Sequence, residues 1–249
     1  LNSNSNIFKI KNGLWKDQTY FNLYKKIYMP MTKQVALFKY AKKIGITIFS
    51  SPLSIRNVDF LESMKVPAYK IPSFEANDFN LLNKCIKTGK PLIISTGTSY
   101  SYEIDEIITF IKKKKYLSKT ALLHCCSDYP STLEQANISF LRSMIEKYKI
   151  NIGYSDHSLN SIGAICAIAN GATIIEKHVI TSRKLGGPDH KFSASKSEFK
   201  QYVKDCNNAW LANGNNIKRK IFNRKFKRSI YAIQDIKKGE KFTKKNIKS

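Results

Sequence analysis

Short apolar runs alternate with longer amphipathic segments along most of the chain. Each run is about as long as a buried strand, and the six runs lie at residues 46–49, 68–71, 91–94, 121–124, 150–154 and 173–178. Between them, apolar residues recur at intervals of three and four, as on a helix with one buried face, at residues 55–64, 78–88, 101–114, 135–148 and 161–171. Strands that alternate with helices in this way predict an α/β fold with a parallel sheet.

Both ends of the chain depart from this pattern. Residues 1–44 hold one helix-like segment, at 33–43, and no clear second strand, whereas the sequence past Trp210 turns to Asn, Lys and Arg. We therefore expect a partial TIM (β/α)8 barrel, with about six of its eight strands, over residues 1–212. A linker at residues 213–227 is expected to precede the start of a second, small domain at residues 228–249.

Composition narrows the class of protein. A hydrophobic share of 42% is typical of a globular protein, and no apolar run is long enough to span a bilayer. With no leader-like segment either, we expect a cytoplasmic protein without a membrane partner. The five cysteines form no Cys-x-x-Cys pair, so we interpret them as reduced, mostly buried thiols.

The chain carries a formal net charge of +25, from 43 Lys and Arg against 18 Asp and Glu. Such a surface attracts anions, which leaves two interpretations open: an enzyme with anionic substrates, or a protein that binds nucleic acid. Apart from clusters at residues 112–115 and 218–228, the positive charges are dispersed and are not interleaved with aromatic residues. We favour a solvated surface and expect no specific nucleic-acid partner.

Polar residues follow every predicted strand. In a parallel barrel the segments after the strands share one face, so these residues are expected to converge. They are Ser50 and Ser51; Lys70, Ser73 and Glu75; Ser95, Thr96, Gly97 and Thr98; His124, Ser127 and Tyr129; Ser155, Asp156 and His157; and Glu176, Lys177 and His178.

Two of these residues, His157 and His178, lie one βα unit apart. Neutral imidazoles at neighbouring strand ends suit Mn²⁺, Zn²⁺ or Fe²⁺ and leave positions open for substrate and water. The alternative is a pair of hydrogen-bonded structural histidines, which is the interpretation that we give to His124 and His190.

Lys70 stands inside an apolar run, where an ammonium group is desolvated unless an anion meets it. An anionic substrate would satisfy it, and so would a side chain whose head reaches the barrel mouth. Ser95, Thr96 and Gly97 offer hydroxyls and an accessible backbone to phosphate oxygens, although such residues are also ordinary in turns. Glu75 and Asp189 are candidates for holding sugar hydroxyls or for capping helices.

At these residues the chain resembles the sialic acid synthase family, whose members build nine-carbon keto acids. The resembling segments run in order over nearly the whole chain. They are Phe-Ser-Ser-Pro at 49–52, Ala-Tyr-Lys-Ile-Pro-Ser-Phe-Glu at 68–75, Gly-Lys-Pro-Leu-Ile-Ile-Ser-Thr-Gly at 89–97, Ala-Leu-Leu-His-Cys at 121–125 with Tyr-Pro at 129–130, Gly-Tyr-Ser-Asp-His at 153–157, Ile-Glu-Lys-His at 175–178 and Gly-Pro-Asp-His-Lys-Phe-Ser at 187–193.

The resemblance implies an enzyme that condenses phosphoenolpyruvate with an amino-sugar aldehyde and releases phosphate. It makes His157 and His178 the catalytic, metal-binding residues, for Mn²⁺ or Mg²⁺, and it implies a homodimer for the family's full-length members. It assigns phosphoenolpyruvate to Lys70, Ser73, Ser95 and Ser155, with Ser127 where sialic acid synthases use Asn. It places Glu75, Tyr129 and Asp189 near the sugar.

Within that family, residues 73–78 resemble pseudaminic acid synthases more than N-acetylneuraminate synthases, which carry Gly-Ser-Gly-Glu there. Residues 13–15 and 23–24 and Ser127 indicate the same subfamily, while N-acetylneuraminate and legionaminic acid synthases remain alternatives.

The family's first two strands would lie before Leu1, and residues 228–240 resemble only the start of its antifreeze-like (SAF) domain. We therefore expect a fragment with little or no synthase activity by itself.

Two other classes of function stay open on sequence alone. An aldolase could act through a Schiff base on Lys70, which borohydride would trap. A basic nucleic-acid-binding protein would show a steep loss of affinity with salt and would not respond to substitution of His157 or His178.

Overall fold

The structure is a computed structural model that describes residues 5–12, 15–214 and 226–249. The chain divides into two compact units, residues 1–213 and residues 214–249. Most of the predicted linker, residues 215–225, lies outside the described residues, as do Gly13 and Leu14 of a segment that carries the subfamily resemblance.

A parallel sheet forms the centre of the first unit, and its strands are adjacent in the order in which they occur along the chain. The sheet curls like half of a barrel. Its strands are β1 (Tyr69–Ile71), β2 (Leu92–Ser95), β3 (Thr120–Cys125), β4 (Asn151–Asp156) and β5 (Ile175–Lys177). Parallel neighbours of this kind confirm the predicted α/β class and the predicted βα units.

The sheet has five strands in the described residues, which corrects the prediction of six. The run at residues 46–49 forms no strand, and the following residue, Ser50, makes a single parallel bridge to Tyr69. The physical reason is burial, because an apolar run becomes an inner strand only when both its faces are covered. Here Ile46 is 60% exposed and Phe49 is 38% exposed.

Along the described part of the chain, each of the five strands is followed by a helix, and three more helices precede the sheet. Those in the described residues are α1 (Tyr20–Ile27), α2 (Met31–Lys43), α3 (Ile55–Ser63), α4 (Phe79–Lys87), α5 (Ser101–Lys113), α6 (Ile138–Tyr148), α7 (Ile162–Ala169) and α8 (Lys196–Asn213). The apolar periodicity predicted all but α1 and α8. The polar α8 buries Tyr202 and has a weak apolar face, which explains why periodicity missed it.

Side-chain caps fix where several helices begin. The Ser54 hydroxyl accepts a hydrogen bond from the Asn57 amide at 3.3 Å, and the Asp78 carboxylate accepts one from the Leu81 amide at 2.9 Å. Each cap satisfies a backbone donor that the first helical turn leaves free. The cap at Asp78 starts α4 directly after the segment that carries Ser73 and Glu75.

The core lies between the sheet and these helices. Strand side chains such as Ile71, Ile94 and Leu122 are fully buried, and so are Ile104 and Ile107 of α5. Strand β3 is buried along its whole length, because it has paired strands on both sides and helices against it. This rigid centre holds the carboxyl ends of the strands, where the candidate site residues lie.

In the second unit, β6 (Tyr231–Ala232) pairs with β7 (Ile247–Lys248) in an antiparallel ribbon. That residues 228–249 form the start of an antifreeze-like domain stays a prediction. Among the described residues, none of the helices combines the length and the apolar character that crossing a bilayer requires.

Candidate active site

The carboxyl ends of the five strands surround a cavity of about 360 Å³. Of the ten predicted site residues, seven line it: Lys70, Ser73, Ser95, Tyr129, Ser155, His157 and His178. The other lining residues are Ser51, Pro72, Phe74, Cys125, Glu176 and Lys177. Residues up to 127 positions apart in the sequence therefore meet at one point, as their common place at strand ends predicts.

His157 follows β4 and is nearly buried. One ring nitrogen, Nδ1, lies 2.6 Å from the Cys126 carbonyl oxygen. A carbonyl only accepts hydrogen bonds, so Nδ1 carries the proton and Nε2 presents its lone pair, 3.4 Å from the Ser155 hydroxyl. Burial lowers the pKa of His157, and the neighbouring His178 lowers it further.

His178 follows β5, and its ring centre lies 5.4 Å from that of His157. Its Nδ1 is 3.6 Å from the Asp189 carboxylate. Burial lowers the pKa of His178 although Asp189 opposes that shift. The rings of Tyr129 and Phe192 pack against the pair, with centres 4.3 Å from His157 and 4.9 Å from His178 respectively.

The histidine pair fits a divalent cation that completes its shell with substrate and water. Both imidazoles are held in the neutral state that binds metals, and the contacts of their Nδ1 atoms leave Nε2 of each free to ligate. Over the described ranges, three or more His, Cys, Asp or Glu side chains nowhere gather as a full metal-ligand set.

Next to the histidines, Lys70 of β1 reaches across the cavity. Its ammonium lies 3.5 Å from a Glu176 carboxylate oxygen, which also accepts a 2.7 Å hydrogen bond from the Ser155 hydroxyl. Ser155 and Glu176 are opposite each other in the β4–β5 register. The Lys70 side chain, 13% exposed, thus places its ammonium at the ends of β4 and β5, next to the Glu176 carboxylate that the Ser155 hydroxyl also contacts.

Ser95, at the end of β2, lines the same cavity, and the segment that follows it positions Ser73. Ser73 accepts a 2.9 Å hydrogen bond from the Gly97 amide. A Cβ atom on Gly97 would lie 2.5 Å from the Ser127 hydroxyl and 2.6 Å from the Cys125 sulfur, so only glycine fits there. The buried Ser95 hydroxyl has no protein partner among the described residues, which leaves it available to a ligand.

A second cavity, of about 440 Å³, adjoins the first and shares Phe74, Tyr129 and His178 with it. One wall is apolar and comes from α1 and the segment before it, and the opposite wall carries Ser127, Asp128 and Asp189. Its remaining lining residues are Ile10, Asn12, Trp15, Tyr20, Leu23, Tyr24, Ile27 and Pro188. The Trp15 indole donates a 3.2 Å hydrogen bond to the Pro188 carbonyl, which joins the two walls.

Comparison with known proteins identifies the family of this chain. The NeuB family pattern matches residues 1–218, which is most of the chain. The chain belongs to the NeuB family. This membership confirms the resemblance to the sialic acid synthases predicted from the strand-end segments.

The chain is similar to several named proteins and to a solved structure. It is 38% identical to "Pseudaminic acid synthase" of Campylobacter jejuni over all of this chain and 74% of that protein. It is 37% identical to "Pseudaminic acid synthase" of Helicobacter pylori, again over 100% of this chain and 74% of that one. The crystal structure of the N-acetylneuraminic acid synthetase of Leptospira borgpetersenii, in complex with citrate, is 32% identical, with a TM-score of 0.75 over 80% of this chain and 70% of that chain.

Three predicted residues lie outside the first cavity of this NeuB-family chain. Ser127 and Asp189 line the second cavity instead. Glu75 lines neither cavity, and its Oε2 atom is buried without a protein partner among the described residues. Burial raises the pKa of Glu75, and it also raises the pKa of Tyr129 to about 12, so the Tyr129 hydroxyl keeps its proton at neutral pH.

Sequence reasoning missed several residues that shape the site. Glu176 was among the strand-end residues expected to converge, but no role was assigned to it; it contacts both Lys70 and Ser155. Phe192 and Tyr24 lie in segments that carry the family resemblance, at 187–193 and 23–24, but that resemblance gave neither residue a role. His124 lies away from the cavity, with Nε2 2.8 Å from the Ala136 carbonyl oxygen.

Proposed function

We propose that this protein condenses phosphoenolpyruvate with an amino-sugar aldehyde to form a nine-carbon nonulosonic acid and inorganic phosphate, as a pseudaminic acid synthase. The observation that carries the proposal is the first cavity, in which a lysine, serine hydroxyls and two neutral histidines meet in a chain of the NeuB family. The names of the relatives with 37% to 38% identity support the choice of product.

Phosphoenolpyruvate is the anion assigned to the first cavity. Lys70 supplies a positive charge, while Ser73, Ser95 and Ser155 supply hydroxyl groups around it. Gly97 lets the segment after β2 pack closely against Ser127 and Cys125, and its amide holds the Ser73 hydroxyl in place at the cavity. The unpartnered Ser95 hydroxyl gains a hydrogen bond when a phosphate or carboxylate oxygen arrives, and hydrogen bonds to charged groups are the stronger ones.

His157 and His178 would hold Mn²⁺ or Mg²⁺. When bound, such an ion acts as a Lewis acid toward the carbonyl oxygen of the sugar aldehyde. The protein's own part is to keep both imidazoles neutral by burial and to fix the ring of His157 through the Cys126 carbonyl.

The amino sugar belongs in the second cavity, which meets the first at Tyr129 and His178. Asp189 and Ser127 face hydroxyl groups there, and Tyr129 lines the boundary with the first cavity, whereas Glu75, which lines neither cavity, acts behind the site. The wall of Trp15, Leu23 and Tyr24 suits the methyl groups of acetamido and deoxy positions better than bare hydroxyls. A sugar with several such groups is the acceptor that this wall favours, and the precursor of legionaminic acid is the alternative.

The reaction joins C3 of phosphoenolpyruvate to the aldehyde carbon. Water then adds at C2, and phosphate leaves when the bond between C2 and oxygen breaks. Lys70 and the surrounding hydroxyls stabilise the negative charge that develops on the phosphate, because they are already oriented in a partly dehydrated cavity. The shared boundary at Tyr129 holds the two substrates next to each other, which lowers the entropic cost of bringing them together.

Two further features belong to the proposal. Residues 228–249 are assigned as the start of an antifreeze-like domain that follows a synthase barrel at residues 1–212 and a linker at 213–227. The native assembly is a homodimer, which sedimentation of the native-length protein would detect.

The test uses the native-length protein with phosphoenolpyruvate, Mn²⁺ and, separately, the precursor sugars of pseudaminic, legionaminic and N-acetylneuraminic acid. We expect phosphate and the nine-carbon acid in equal amounts, fastest with the pseudaminic acid precursor. His157→Ala and His178→Ala should each lower the rate by at least about a hundredfold. No phosphate with any of the three sugars, or a Schiff base on Lys70 trapped by borohydride, would contradict the proposal.

A further inference from the structure

A buried ion pair lies directly beside the two histidines. Asp156 precedes His157 in the sequence and Lys177 precedes His178. The Lys177 ammonium is 3.3 Å from the Asp156 carboxylate, and the two side chains are 4% and 0% exposed. Lys177 borders the first cavity, but its side chain is almost entirely buried and its ammonium is bound by Asp156 and the Ser158 carbonyl.

The strand register explains how this pair relates to the cavity. Asp156 and Lys177 are opposite each other in the parallel β4–β5 pair, and so are the preceding residues, Ser155 and Glu176. Successive residues of a strand point to opposite faces of the sheet. The Ser155–Glu176 pair points toward Lys70 in the cavity, and the Asp156–Lys177 pair points toward the helices.

The ion pair is enclosed by hydrogen bonds. The Tyr202 hydroxyl of α8 donates to Asp156 Oδ2 at 2.7 Å, and the Ser158 amide donates to Asp156 Oδ1 at 2.8 Å. The Lys177 ammonium donates to the Ser158 carbonyl and lies 5.1 Å from the centre of the Tyr202 ring. Both oxygens of Asp156 are thus satisfied, as a buried carboxylate requires.

These contacts fix the backbone on both sides of His157. Asp156 and Ser158 flank the histidine, and each is bonded to the other and to Lys177. On β5, the same Lys177 is covalently next to His178, whose carbonyl accepts a 2.9 Å hydrogen bond from the Ala194 amide. One network therefore determines the positions of both histidine backbones relative to each other.

We propose that Asp156, Lys177 and Tyr202 are positioning residues that set the separation and orientation of His157 and His178. This inference rests on the proposed function, in which those histidines hold a divalent cation. Buried ion pairs contribute little net stability compared with apolar residues of the same size. Their geometric precision, in contrast, suits a site where two ligands on different strands must meet one ion.

The test compares two substitutions of the same kind. Tyr202→Phe removes the hydroxyl that holds Asp156, whereas Tyr116→Phe removes a buried hydroxyl that donates to the Lys90 carbonyl at 2.9 Å, outside both cavities. The chain has four histidines, so ¹⁵N labelling of histidine gives eight imidazole nitrogen signals, one Nδ1 and one Nε2 for each ring. We expect Tyr202→Phe to shift the signals of His157 and His178 and to leave those of His124 and His190, and Tyr116→Phe to shift none.

Mn²⁺ binding, followed by titration calorimetry, is the second readout. We expect about a tenfold weaker Kd in Tyr202→Phe and an unchanged Kd in Tyr116→Phe. Equal behaviour of the two variants in both measurements would overturn the inference. If the wild-type protein bound no Mn²⁺, the metal part of the proposed function would fail, and the histidine spectra would still decide whether Tyr202 positions the rings.

A double variant separates positioning from stability. Asp156→Asn combined with Lys177→Met removes both charges, so it should regain most of the thermal stability that either single change loses. We expect its Mn²⁺ affinity to stay at least about tenfold below wild type. Recovery of the affinity together with the stability would show that the pair only stabilises the fold.

Discussion

Two buried serine hydroxyls, those of Ser95 and Ser131, lack a protein partner in the described part of the chain. A buried hydroxyl without a hydrogen bond lowers stability, and proteins retain few of them. Ser95 lines the cavity that contains Lys70, whereas Ser131 lines neither cavity. Each of the two hydroxyls therefore lowers the stability of the folded protein, but only Ser95 faces the proposed ligand.

Ser95→Ala is expected to raise the free energy of unfolding of the ligand-free protein by about 1 kcal/mol, because it removes an unsatisfied polar atom. The same change should weaken phosphoenolpyruvate binding about tenfold or more, because a hydrogen bond to a charged oxygen is lost. Urea unfolding and titration calorimetry measure the two effects. Ser131→Ala is the control, and it should change stability alone. A Ser95→Ala protein with wild-type affinity would rule out Ser95 as a ligand contact.

Histidine burial predicts how stability depends on pH. Burial lowers the pKa of His124, whose Nε2 donates to the Ala136 carbonyl, below the value of about 6.5 that it has in an unfolded chain. Below pH 6.5 the unfolded state therefore binds a proton that folded His124 does not bind, so stability falls as the pH falls. Each such histidine contributes up to about 1.4 kcal/mol per pH unit in that window.

His124→Gln should reduce this dependence, since the glutamine amide can donate to the same carbonyl and does not titrate. Urea unfolding at several pH values between about 5 and 7 gives the slope of the unfolding free energy against pH. We expect that slope to correspond to up to one fewer bound proton in the variant than in wild type. An unchanged slope would mean that His124 is protonated in the folded state as well.

At the residue scale, the sequence predicted the polar strand ends well and the contacts between them poorly. Lys70, His157 and His178 could be assigned to one cavity because parallel strands bring their carboxyl ends together. That Lys70 pairs with Glu176 depends on the twist of the sheet and on side-chain rotamers, neither of which a spacing encodes. The orphaned Ser95 hydroxyl is likewise a property of the folded surroundings.

At the scale of elements, one carboxylate links two of the segments that surround the cavity. Glu103 accepts a 2.7 Å hydrogen bond from the Tyr100 amide at the start of α5. It also accepts one of 2.8 Å from the Asn77 side chain, which follows β1. Glu103 thereby caps the helix and ties it to the segment that carries Ser73.

Glu103→Ala is expected to lower the free energy of unfolding by about 1 kcal/mol, because the cap and the link to Asn77 are both lost. The exposed side chain of Glu106 in the same helix forms no hydrogen bond or ion pair with any described residue, so Glu106→Ala is the matched control. Denaturant unfolding measures both, and equal effects of the two substitutions would contradict the assigned role of Glu103.

The elements were predictable where burial is regular. Runs at residues 68–71 and 121–124 became strands because helices and neighbouring strands cover them. The run at 46–49, Ile-Thr-Ile-Phe, is no less apolar but stays exposed, and no local sequence feature reports that difference. Helix α8 was missed for the opposite reason, since its contact with the sheet depends on a few residues such as Tyr202.

At the scale of the whole molecule, a net charge of +25 creates a field that attracts small anions. We expect the association rate of phosphoenolpyruvate, measured by stopped flow, to fall several-fold between about 0.05 M and 0.5 M NaCl. The affinity for the uncharged sugar should stay constant over the same range. A rate independent of salt would show that the surface charge has no part in substrate capture.

The central claim is that phosphoenolpyruvate binds in the cavity at the carboxyl ends of the strands, against Lys70. The most direct measurement is calorimetric titration of phosphoenolpyruvate into wild type, Lys70→Met and Lys90→Met. Lys90 also forms an ion pair with a carboxylate, that of Glu62, but lines neither cavity. The account predicts one site per chain in wild type and Lys90→Met, and at least about tenfold weaker binding in Lys70→Met. Binding of equal strength to all three proteins, or to none of them, would contradict it.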